Sequence, residues 1–250
     1  MFDLKIFRPT VLRHTIAVLL TFVAAIASVQ VFASPLQPYT AEYEVLRNGE
    51  PLGRGTVSLK RIEGGSWELL SITRGTEGLA GLAGAEIVER STLQGFGDRI
   101  ETLDYHFRQD IAWKSRERSV SFDPAAKRIL SRDRDREYPF AFARGVLDRQ
   151  CVVLALAQDV AAGKRGVLSY TVVDRDQFGP QRYRVRRAEE RVETPAGILR
   201  ALRVERVRSE SRGRTTTSWL GIEQGFLPVK VLQSEPDGDS FEMRLISLRR

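Results

Sequence analysis

The chain has 250 residues, 42% of them hydrophobic, which is ample for a hydrophobic core that needs no covalent staples. Its single cysteine, Cys151, excludes an internal disulfide. The formal charge of +7 is carried mostly by arginines interleaved with acids, as in Arg132-Asp-Arg-Asp-Arg-Glu137, whereas a nucleic-acid binder concentrates unbalanced positive charge on one face or tail.

Met1 to His14 is polar and carries Lys5, Arg8 and Arg13 against one acid, Asp3. The apolar run Ile16-Ala-Val-Leu-Leu-Thr-Phe-Val-Ala-Ala-Ile26 follows, and Val31 and Ala33 stand at the −3 and −1 places of a small-residue cleavage site. Basic head, apolar middle and small-residue exit make a secretory signal over residues 1–33, with Ser34 as the new N-terminus. The run approaches the length of an uncleaved membrane anchor, but the Val-Phe-Ala-Ser-Pro exit argues for cleavage. No cysteine stands at that point to take a lipid, so a free periplasmic product is expected. Cleavage leaves 217 residues and removes three bases with one acid, lowering the charge to about +5.

Tyr39, Ala41, Tyr43 and Val45 alternate with Thr40, Glu42 and Glu44, the period of a half-buried strand. Asn48-Gly49 predicts a hairpin turn, and Gly55 to Leu59 resumes the strand pattern. Glu63-Gly64-Gly65 breaks the chain before a third strand over Trp67–Thr73. Gly75 to Gly84, rich in Gly, Ala and Leu, has poor propensity for either regular structure. It reads as a packed connection or a mobile loop over an apolar mouth. Further strands are expected over Ile87–Leu93, Ile100–Phe107 and Trp113–Phe122, then a turn at Asp123-Pro-Ala-Ala-Lys127 leading into Arg128–Arg132.

One helix is predicted, from about Arg149 to Ala162, with Asp148 as N-cap and Gly163 as terminator. Val152, Val153, Leu154, Leu156 and Val160 cover more than one of its faces, so it is expected to be buried, plugging or crossing a curved sheet. Strands return over Val167–Val173, Tyr183–Arg191, Leu199–Val207, Thr215–Leu220, Val229–Leu232 and Phe241–Leu248. Phe178-Gly-Pro180, Thr194-Pro-Ala-Gly197 and Pro236-Asp-Gly-Asp239 read as their connections. The pattern predicts a mainly β fold with about a dozen strands and one buried helix, as an antiparallel barrel or strongly curved sheet in one domain over 34–250.

Catalytic chemistry is thin. His106 is the one histidine after the signal, and with one cysteine it cannot furnish the three or four ligands of a usual zinc site. No Gly-x-Ser-x-Gly, phosphate loop or dinucleotide glycine pattern is present. Arg182, Arg184 and Arg186 share one strand face, either an anion-binding stripe or a solvent face answered by neighbouring glutamates. Trp67, Trp113 and Trp219 sit in strand-like segments, where tryptophan is core or lines a barrel cavity, and they are the candidate ligand-binding residues.

Several segments in order resemble a bacterial envelope family catalogued as domain-of-unknown-function family 3108. They are Pro38-Tyr-Thr-Ala-Glu-Tyr-Glu-Val45 with the Asn-Gly after it, Leu103-Asp-Tyr-His-Phe107, Val146-Leu-Asp148 opening the helix, Thr194-Pro-Ala-Gly197, and Thr217-Ser-Trp-Leu220 before Leu227-Pro-Val-Lys230. Cys151 departs from the small hydroxylated residue expected near the start of that helix. The resemblance implies an exported, mostly β domain without an assigned activity. By fold alone it is similar to curved-sheet periplasmic carriers of lipoprotein acyl chains, an analogy that does not determine function. The expected role is a non-enzymatic periplasmic binding or carrier module for a hydrophobic or lipid-like ligand, with no cofactor, metal, nucleic acid or retained membrane anchor. The alternatives are an envelope assembly protein with a filled core, and a hydrolase acting on an envelope polymer.

Overall fold

The alternation at Tyr39 becomes strand β1 (Tyr39–Arg47), whose Tyr39, Ala41, Tyr43 and Val45 are all buried. A computed structural model describes residues 36–96, 99–208 and 213–250. The signal segment 1–33 and its Ala33-Ser34 cleavage point lie outside the described residues. Asn48 (φ 54°) and Gly49 (φ 84°) both take left-handed backbone, the requirement of a two-residue hairpin turn into β2 (Glu50–Arg61). Asn48 also fastens this turn to the far end of the chain: its Oδ1 accepts from Ser240 N (2.8 Å) and its Nδ2 donates to Asp239 Oδ1 (2.9 Å).

The strands continue as β3 (Trp67–Gly75), β4 (Glu86–Phe96), β5 (Arg99–Ile111), β6 (Lys114–Asp123), β7 (Arg128–Asp133) and β8 (Arg136–Ala141). Helix α2 (Cys151–Ala161) intervenes before β9 (Gly166–Asp174), β10 (Gln177–Thr194), β11 (Gly197–Val207), β12 (Thr215–Gly221), β13 (Pro228–Ser234) and β14 (Ser240–Arg249). All fourteen form one antiparallel sheet, ordered β8-β7-β6-β5-β4-β3-β2-β1-β14-β13-β12-β11-β10-β9. Two up-and-down meanders are thus stitched together where β1 pairs with β14, and β8 and β9 are the edges.

The edges do not pair with each other, so the sheet is barrel-like without closing. The segment leading into α2 occupies the seam: Leu147 N donates to Thr171 O and Val173 N to Leu147 O, both at 2.9 Å. Phe140 on β8 stacks on Phe178 of β10 with ring centroids 5.2 Å apart. A strand edge covered in this way is withheld from pairing with other chains.

Helix α2 fills the concave side, as its all-round apolar character requires. Cys151, Val152 and Leu154 pack with Tyr39, Leu69 and Leu93, while Leu156 and Val160 join Val185, Leu202, Val204 and Leu220. A third cluster, around Tyr105, Phe107, Phe122 and Ile129, takes Val146 and Val173 from the seam.

Three local expectations are corrected, at Gly75–Gly84, at Phe178-Gly-Pro180 and at Trp113. Gly75–Gly84 contains a short helix, α1 (Gly78–Leu82), because Gly75 and Gly81 let Ala80 and Thr76 approach where any Cβ would collide with backbone. The charge run 132–137 is a hairpin joining β7 to β8, turned at Arg134 (φ 56°). Phe178-Gly-Pro180 lies within β10, since Arg175 (φ 57°) makes the turn. Pro180 faces Thr171 at a position where β10 has not yet met β11, so no ladder donor is lost there. Trp113 belongs to the turn between β5 and β6, not to a strand.

Candidate ligand-binding sites

The entry to α2 is held by one carboxylate. Asp148 is fully buried, and its Oδ1 accepts from Gln150 N (2.6 Å), Cys151 N (2.9 Å) and Ser91 Oγ (3.1 Å). Asp148 N donates to Thr102 Oγ1 (3.2 Å), and Gln150 Nε2 reaches Glu89 O (3.2 Å). Strands β4 and β5 therefore position the helix through Ser91 and Thr102, two buried hydroxyl residues of their inner face. The expected N-cap is present, though the carboxylate also does long-range work that sequence spacing does not reveal.

Burial, reinforced by the neighbouring Asp148, pushes the Cys151 thiol well above its usual range. The thiolate is the reactive form. Native protein is accordingly expected to resist a thiol reagent even at mildly alkaline pH and to label fully in denaturant. Rapid labelling of folded protein would contradict this burial. The unfolded thiol ionises at about 8.5 while the folded thiol stays protonated. This group therefore favours unfolding as pH rises above that value.

Beside α2 lies a narrow cleft of about 120 Å³, walled by Leu36, Tyr39, Leu59, Leu154, Ala157 and Leu227. Gln37, Gln158 and Arg250 add polar groups to it, and the Arg250 guanidinium lies against Gly225, whose missing side chain makes room for it.

A larger concavity, about 640 Å³, lies on the outer face of β4–β7. Register builds it. Arg90, His106, Ser119 and Arg132 are aligned across four strands, and the next row places Val88, Arg108 and Glu117 side by side. Arg134 N donates to Glu117 O (3.3 Å), bringing the β7–β8 turn to the end of that second row. Arg90, Arg108 and Arg132 each reach outward to a peripheral carboxylate: Glu68 at 3.4 Å, Asp110 at 2.8 Å and Glu137 at 2.8 Å. His106, expected as a strand-face residue, pairs with Asp104 at 2.6 Å.

The three candidate tryptophans do not line one cavity. Trp67 is 6% exposed and packs in the cluster around Tyr39 and Leu69. Trp219 packs against that same cluster while its Nε1 donates to Glu190 (2.7 Å), and Arg203 and Lys230 lie over its ring. Trp113 is 88% exposed. In the stripe Arg182, Arg184 and Arg186, Arg186 is answered by Glu205 at 2.8 Å, and Val185 is buried opposite.

Among the described residues two carboxyls are raised, both chiefly by burial. Glu89 faces inward and is opposed by Arg149, 3.6 Å away; Asp104 shares the outer face with His106, which pulls it back down. They lie on opposite faces of the sheet and do not form a pair across one cleft. Burial also raises the phenols of Tyr39, Tyr43 and Tyr105.

Residues 39–246 match the family described as a protein of unknown function, DUF3108. The chain belongs to that family. The DUF3108 region thus runs from the first residue of β1 into β14, so the stitched pair of meanders, the seam and α2 are all within it. No curated protein matches. Among solved structures, the chain is similar to a beta-barrel-like DUF1849 protein from Brucella abortus, with 11% identity and a TM-score of 0.54. That match covers 85% of this chain and 97% of the other. At that identity the likeness concerns the fold alone. A domain from Vibrio parahaemolyticus, provisionally described as an outer membrane lipoprotein-sorting protein domain, aligns at 13% identity and a TM-score of 0.21, covering 85% and 84% of the two chains. Among the described residues, no helix is long and apolar enough to cross a membrane, a finding that does not bear on strands.

Proposed function

We propose that this DUF3108 chain is a non-enzymatic binding module of the cell envelope, exported to the periplasm, that receives part of a hydrophobic or lipid-like ligand beside α2. The observation that carries the reading is the cleft itself: apolar walls from Leu36, Leu59, Leu154 and Leu227, with the Arg250 cation at hand for an anionic head. An apolar slot next to a fixed charge is the complement of an amphiphile. Trp67 and Trp219 support it from behind, because they pack in the cluster that also contains Tyr39, Leu59, Leu154 and Leu227.

Size favours a second reading. Drug-sized ligands occupy cavities of about 300–1,000 Å³, so a cleft of 120 Å³ admits one short apolar segment unless α2 moves. Side chains of α2 fill the concavity elsewhere, as in an assembly protein with a packed core. Native mass spectrometry of the exported protein purified from an envelope fraction separates the two. The binding reading expects a co-purifying amphiphile, or uptake of a fluorescent fatty acid that Ala161→Trp, which enlarges another side chain of the cleft lining, abolishes without lowering the unfolding midpoint. Protein that is empty as isolated and takes up no fatty acid favours the filled-core reading.

A further inference from the structure

Seven large apolar side chains stand exposed among the described residues, and three of them, Leu82, Ile111 and Trp113, gather at one end of the sheet. Ala112 N donates to Ala83 O (2.8 Å), joining the end of α1 to the β5–β6 turn, so the residues beside that bond share one tip. Trp113 is 88% exposed and Leu82 86%; neither contributes to a core cluster. A tryptophan at such a tip has an apolar body and one N–H, the combination suited to the boundary between lipid and water.

The outer-face concavity supplies a second, independent observation. Arg108 precedes Ile111, the last residue of β5, by three residues, which at about 3.3 Å per residue places it about 10 Å behind the turn that carries Trp113. Surface-bound elements bury their apolar side about 5–10 Å into the headgroup and acyl boundary. With Trp113 at that depth, Arg108 and Arg134, at the end of the same row, stand among the headgroups, and Arg90 and Arg132 lie one row, about 7 Å, farther back. Arg90, Arg108, Arg132 and Arg134 outnumber Glu117 and Asp135, leaving this lining net positive. The ion pairs of Arg108 and Arg132 are exposed and weak, so these guanidinium forks can turn to phosphate oxygens, whereas Arg90 is held to the mostly buried Glu68. Among the described residues Arg134 has no ion-paired carboxylate at all.

We propose that this end of the sheet docks on an anionic lipid surface, with Trp113, Ile111 and Leu82 entering the interface and the arginines of β4–β7 engaging headgroup phosphates. The site shares no residue with the α2 cleft, so docking and ligand uptake can fail separately. Co-sedimentation of the exported protein with vesicles tests it, comparing phosphatidylglycerol mixed equally with phosphatidylcholine against phosphatidylcholine alone. Binding is expected on the anionic vesicles and should weaken with added salt. Trp113→Ala should reduce affinity about tenfold. Arg108→Gln with Arg134→Gln should reduce it by about fivefold per charge and flatten the salt dependence. All three residues are exposed, and unchanged unfolding midpoints would show that the fold is intact. Protein that stays in the supernatant with both vesicle types overturns the proposal, as does full binding by Trp113→Ala. Saturable binding of inorganic pyrophosphate without vesicle recruitment also overturns it and makes the concavity a site for a soluble anion.

Discussion

Asp148→Ala is expected to lower stability by about 3 kcal/mol, roughly 1 kcal/mol from the lost helix cap and the remainder from leaving buried backbone N–H groups without an acceptor, while Ser91 Oγ keeps Gln150 Oε1 at 3.1 Å. The Gln150 and Cys151 N–H groups lose their acceptor in the same change, and no solvent reaches the site to replace it. Against a usual stability of about 5–15 kcal/mol the loss is large. In urea, with a slope near 3 kcal/mol per molar, the midpoint should fall by about 1 M. Asp148→Asn keeps an acceptor oxygen at the Oδ1 position and is expected to recover at least half of the loss. A midpoint for the alanine variant within about 0.3 M of the parent would mean that core packing, not this carboxylate, fixes α2.

Asp148 joins signals that are legible in its own neighbourhood to partners that are not. The Asp148 cap and the Gly163 stop are local signals, readable because only a few residue types satisfy a helix end. The β1 alternation and the Asn48-Gly49 turn are equally local. The partners Ser91 and Thr102 come from strands some fifty residues earlier, and nothing in their own neighbourhood marks them as anchors for a helix. The same limit hid the arginine concavity. Arg132 looked like one base in a mixed-charge run, and it aligns with Arg90, His106 and Ser119 only through three successive strand registers. Where the local signal misled, at Phe178-Gly-Pro180, two turn-forming residues were present but a nearby arginine in left-handed backbone already made the turn. The pairing of β1 with β14, which turns two meanders into one barrel-like sheet, joins strands from opposite ends of the chain and leaves no short-range trace.

The tryptophans give the sharpest test of that distinction, because three residues of one type in similar segments have different environments. Trp67→Ala opens a hole within the cluster that holds Tyr39, Leu69 and α2, and should lower stability by about 3–5 kcal/mol. Trp113→Ala removes a ring that packs in no core cluster, and the change should stay within about 0.5 kcal/mol. Trp219→Ala falls between: it forfeits partial packing, the bond to Glu190 and the Arg203 and Lys230 contacts, worth about 1–3 kcal/mol together. Urea titrations of the three variants measure this order directly, and fluorescence checks it independently. Loss of Trp113 should remove the most water-exposed emitter and shift the remaining emission to the blue, while loss of Trp67 should shift it to the red. A destabilised Trp113 variant would mean that the β5–β6 tip packs against the body of the protein. The tip would then have no apolar surface left to offer a membrane.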